Sequence, residues 1–151
     1  MNKLIELMDE SAKIYKNFLE LEYKKYDAVI KNDIELLEEI VAQEQAFYMK
    51  MRGIEQKREK LLDFMGFKDK SFKEVIESVE GNEKDTLIEK YDEFSKTIAE
   101  VKKIVNLCKT LIEVRMHRIN KAMEQLGEKD NTYSLSENKN NSKSMLFSKK
   151  I

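Results

Sequence analysis

DTLIEKYDEFSKTIAEVKKIVNLCKTLIEVRMHRINKAMEQLG, residues 85–127, is the stretch whose reading decides the fold. Alternate steps of four and three residues pick out Leu87, Tyr91, Phe94, Ile98, Val101, Val105, Cys108, Ile112, Arg115, Ile119, Ala122 and Leu126, of which only Arg115 is charged. That period is a helical seam. At about 1.5 Å per residue such a helix runs roughly 60 Å, too long to fold on itself, so its stripe must lie against other helices. Ile88, Ile104, Leu111, Met116 and Met123 widen the stripe beyond what a two-stranded coiled coil needs, which predicts several neighbours from the same chain.

Those neighbours are found upstream. Leu4, Leu7, Ile14, Phe18 and Leu21 recur at helical spacing, with Met8, Tyr15, Leu19, Tyr26 and Val29 alongside, and predict a first helix over residues 1–30. Lys31-Asn32-Asp33 interrupts the pattern and offers a cap for a new helix, so a tight reversal is read there, with a bend in one continuous helix as the competitor. The second helix, over residues 33–65, carries Leu37, Ile40, Glu44, Phe47, Met51, Ile54, Arg58, Leu61 and Met65 on one seam. Gly66 closes it. Ser71-Phe72-Lys73-Glu74 has the spacing of a capping box and opens a short helix through Val75, Ile76 and Val79. Gly81-Asn82 leads into the long helix, and Gly127 is expected to stop it. The fold class is therefore all-α: an antiparallel bundle of three long helices plus one short helix, residues 1–127, with a disordered C-terminal tail over residues 128–151. That tail is rich in Asn, Ser and Lys and ends on an apolar Met145-Leu146-Phe147 plug between lysines.

Composition agrees with long solvated helices: 38% of residues are charged, proline is absent and glycine occurs four times. With 28 cationic and 29 anionic side chains no net field draws in nucleic acid or an anionic membrane surface. The interrupted apolar pattern of the amino terminus predicts neither signal peptide nor membrane insertion, hence a cytoplasmic protein. The single cysteine, Cys108, falls on the seam and reads as a small buried hydrophobe. His117 is the only histidine, four residues after Glu113 and flanked by Arg115 and Arg118, which does not suit a bundle metal site; no metal, cofactor or catalysis is expected. Glu44, Arg58 and Arg115 break otherwise apolar seams. They are read as snorkelling outward at the bundle edge, the alternative being a pairing that fixes register.

One resemblance runs through nearly the whole chain. Lys31-Asn32-Asp33-Ile34-Glu35-Leu36-Leu37-Glu38-Glu39-Ile40 is similar to the Lys-Gly-Asp-Leu-Glu-x-Leu-Glu segment of FlgN-like flagellar export chaperones. It is followed, as in those proteins, by Gln43-Glu44-Gln45, by Glu55-Gln56-Lys57-Arg58-Glu59, by a long last helix, and by a polar tail with a Leu-Phe-x-Lys-Lys-like end at residues 146–150. The resemblance implies a cytosolic chaperone that holds hook-filament junction subunits, FlgK-like and FlgL-like, before type III export and presents them to the export gate. It points to partner contacts at Ile119, Met123 and Leu126 on the last helix and at Tyr133, Leu146 and Phe147 in the tail. Two departures stand out: family members often have glycine where Asn32 stands, and a Tyr-Gly pair where Tyr133 precedes Ser134. The rival readings are a structural coiled-coil module that self-associates through its seam and a chaperone for another flagellar client such as the filament cap.

Overall fold

The computed structural model describes residues 1–129, with side chains through Gly127. These residues contain α1 (Asn2–Lys31), α2 (Ile34–Phe64), the short α3 (Phe72–Glu77) and α4 (Asn82–Lys129), and no strand. From residue 130 onward the tail expected to be disordered lies outside the described residues. By compactness the chain divides into two units, Met1–Val105 and Asn106–Ile151.

The first unit holds α1, α2, α3 and the beginning of α4. Side-chain pairs give the helix directions without further geometry. Lys25 meets Glu44 and Glu10 meets Lys57, so rising numbers on α1 face falling numbers on α2 and the two helices are antiparallel. Asp9 meets Lys90 and Lys16 meets Glu93, so α1 and α4 run in the same sense. Two apolar clusters fill the space between them. Leu4 and Met8 of α1, Leu62 of α2, Val75 and Ile76 of α3, Val79, and Leu87 of α4 form one. Phe18, Leu21, Ala28, Ile40 and Val101 form the other, with Phe47, Met51 and Val105 packed against it.

The connections follow from local backbone chemistry. Asn32 takes the left-handed conformation (φ 55°), its amide and that of Asp33 reach back to the carbonyls of Val29 and Ala28 at 3.2 and 3.0 Å, and α1 closes in a Schellman-type turn. Asp33 then accepts from the Leu36 amide at 3.1 Å and caps α2. The reversal is therefore real, and no continuous bent helix spans it. Asparagine tolerates the conformation that the resemblance assigns to glycine at this place. Gly66 (φ 80°) closes α2 the same way, with the Phe67 amide on the Leu62 carbonyl at 2.8 Å. Ser71 and Glu74 make the reciprocal capping box read from the sequence.

Three expectations need correction. Gly127 does not stop the last helix, which continues through it to Lys129; glycine lowers helix propensity by about 1 kcal/mol but ends a helix only where the backbone turns to positive φ. Ile88 does not widen the buried stripe, because one residue past Leu87 turns it about 100° away and leaves it exposed. Glu44 does not snorkel. It is 3% exposed, inside the α1–α2 interface, with its carboxylate 2.7 Å from the Lys25 ammonium.

Candidate functional site

The second unit, as far as it is described, is the remainder of α4. Cys108 and Ile112 are buried there, Leu111, Arg115 and Met116 are half-buried, and from His117 to Gly127 every side chain is exposed. Of the residues singled out from sequence, Ile119, Met123 and Leu126 are 53, 46 and 64% exposed. At about 100° per residue these three lie within roughly 60° of one another, in line with Ile112 and Met116. The helix thus carries its apolar seam on past the point where burial stops, and three large apolar side chains stand on one face in water. Tyr133, Leu146 and Phe147, the tail residues assigned to the same contact, lie outside the described residues.

Leu107 and Val114, both more than two-fifths exposed, are apolar residues that sequence reasoning passed over. They are seven apart and fall on the side of the helix turned away from the seam, so a search for apolar pairs at that spacing off the main stripe is the signal that finds them. His117, Arg118 and Lys121 are exposed on the same stretch of helix.

Two hollows in the first unit offer less. One, of about 580 Å³, is lined by Arg58, Lys60, Lys68 and Lys70 interleaved with Glu59, Asp63 and Asp69. Its charges offset one another: Arg58 is engaged by Glu55, which holds the Glu55 carboxyl below its ordinary range, and Ser71 at its edge is committed to capping α3. The second, about 380 Å³, is an apolar dimple beside Met1, Leu61, Phe64 and Met65. Among the described residues no three His, Cys, Asp or Glu side chains gather as a metal site, and no helix is long and apolar enough to cross a membrane.

Comparison with known proteins returns one result and two blanks. No curated protein and no solved structure matches the chain. The sequence model described as FlgN protein matches residues 1–141, spanning α1 to α4 and running into the tail. With the helical architecture and the apolar face of α4 already in view, that match shows that the chain belongs to the FlgN family of flagellar export chaperones.

Proposed function

We propose that this chaperone holds hook-filament junction subunits of FlgK and FlgL type in the cytoplasm, through the apolar face of α4 and the tail that follows it, and delivers them to the export gate. It works by binding alone, without cofactor or catalysis. The observation that carries this reading is the exposure of Ile119, Met123 and Leu126 on one face of a FlgN-family helix. An amphipathic helix of a client laid along that face would bury them, at about 1–2 kcal/mol each. Masking the client helix in this way would also keep it from assembling early. Met123, unbranched and polarizable, adapts to two related clients more readily than a β-branched residue would. Tyr133, Leu146 and Phe147 extend the contact, and ordering them on binding offsets part of the interaction energy, which suits a complex that must release.

The test is titration calorimetry of the full chain and of a variant lacking residues 130–151 against purified junction subunits and a filament-cap subunit. Binding of a junction subunit, weakened at least tenfold by Ile119→Asp with Met123→Asp, is the expected result. Binding of the cap subunit alone moves the client assignment. A chain that sediments as a stable dimer through this face and binds none of them is a self-associating module instead.

A further inference from the structure

Ile119, Met123 and Leu126 stand 53, 46 and 64% exposed on one face of α4, in a stretch where every side chain from His117 to Gly127 meets water. Large apolar side chains grouped in water favour any apolar surface that reaches them, a second copy of the chain included. By covalent connection the nearest source of such surface is the remainder of the same unit, residues 130–151. Its sequence, DNTYSLSENKNNSKSMLFSKKI, holds one run of adjacent large apolar residues, Met145-Leu146-Phe147, while Tyr133 and Leu135 stand singly among polar neighbours. The run offers a thioether, a branched chain and an aromatic ring, apolar surface comparable to that of the face.

The separation fits as well. Ile119 lies about 15 Å back along the helix from Lys129 at 1.5 Å per residue. Residues 130–144 can span at most about 50 Å at 3.3–3.6 Å per residue, enough chain to reverse direction and lie back along the face. Tyr133 and Leu135 have less, because a reversal of about four residues leaves at most two to cover that distance. A tether of this length holds the run near the face at an effective concentration in the millimolar range. A contact of about millimolar affinity, too weak to join separate molecules in dilute solution, is then filled for most of the time within one chain.

We propose that, when no client is bound, the chain's own Met145-Leu146-Phe147 segment occupies the face formed by Ile119, Met123 and Leu126, and that a client helix must displace it. The inference rests on the reading of that face as the client site and adds a competitor to it. Once displaced, the segment is available for the contact that Leu146 and Phe147 extend alongside the client. Self-occupancy keeps the face from second copies of the chain. It also sets a threshold for clients: if the segment fills the face about four-fifths of the time, every ligand of that face binds about fivefold more weakly than it would to a bare one. A full amphipathic helix overcomes that factor, and a chance apolar contact does not.

Methionine oxidation reads the occupancy with no client present, so this inference and the client reading fail separately. Peroxide converts an accessible thioether to the sulfoxide, and a covered one reacts in proportion to its open fraction. Met49, 77% exposed on α2, is the internal reference. One sample is the full chain carrying Met145→Leu, which keeps the segment apolar but removes its own oxidisable sulfur. The other is the same chain with Leu146→Asp and Phe147→Asp added. Initial rates at each methionine are followed by peptide mass spectrometry. Met123 is expected to oxidise about fivefold more slowly in the first chain than in the second, with Met49 alike in both and the difference unchanged on hundredfold dilution. Equal Met123 rates in the two chains overturn the proposal. So does protection that disappears on dilution, which assigns the cover to a second copy of the chain.

Discussion

Removing the Lys25 ammonium leaves the Glu44 carboxylate in a dry interface with its 2.7 Å partner gone. Lys25→Met is therefore expected to destabilise the fold by about 3–5 kcal/mol, a large share of what a domain this size has. Replacing the whole cluster tells a different story: Glu22→Leu, Lys25→Met and Glu44→Leu together exchange three desolvated polar groups for packing, and the triple variant should be as stable as the wild type or more so. Urea unfolding followed by circular dichroism separates the two cases. One of the three members of this cluster was legible in advance. Glu44 showed as a break in the seam of α2, but its partners did not, because Glu22 and Lys25 were passed over as polar residues on an apolar helix. Taking α1 as Leu4, Met8, Ser11, Tyr15, Phe18, Glu22, Lys25 and Val29 puts both on the seam, with Ser11, whose buried hydroxyl donates to the Leu7 carbonyl at 2.7 Å. A reading that admits only apolar side chains to a seam misses a core in which a lysine of α1 and a glutamate of α2 pair across the two helices.

Helix ends depend on backbone conformation, and two glycines make the point. A methyl group added at Gly66 or at Gly127 would meet nothing within 4 Å, so any effect of Ala there is conformational and not steric. Gly66 has φ 80°, and Gly66→Ala is expected to cost about 1–2 kcal/mol in global unfolding. Gly127 lies within α4, and Gly127→Ala should strengthen that end of the helix by about 1 kcal/mol, seen as slower amide hydrogen exchange over residues 120–127. If Gly127 terminated the helix, Ala would speed that exchange. The existence and type of the three long helices were legible because seams of three- and four-residue steps extend over many turns, and the short α3 was legible from its capping box. So was the cap at Ser71, where a short polar side chain precedes an apolar run, while the cap of α2 was legible only as Asn32 or Asp33, and the structure puts it at Asp33. Where α4 ends was not legible, because glycine is compatible both with a helix interior and with a helix stop, and residue type alone does not choose between them.

For the molecule as a whole the seam of α4 serves two purposes, and the sequence could show that it continues but not where its cover ends. Leu87, Val101, Cys108 and Ile112 are buried; Ile119, Met123 and Leu126, equally apolar and on the same seam or beside it, are exposed. Periodicity is blind to that difference, since an identical pattern is written by a face that packs and by one that waits for a partner. The distinction can be measured. Asp placed at Val101 puts a charge into the apolar cluster with Phe18 and Leu21, and the chain should lose cooperative unfolding or melt far lower. Asp placed at both Ile119 and Met123 puts charges where water already reaches, and global stability should stay within about 0.5 kcal/mol of wild type. The same double substitution removes two apolar contacts from the proposed docking face and should raise the Kd for a junction subunit by tenfold to a hundredfold. Stability and affinity would then separate cleanly between the two sets of positions. If instead Ile119→Asp with Met123→Asp lowered the melting temperature as much as Val101→Asp, that face would be core, and the site of client binding would have to be sought elsewhere on the protein.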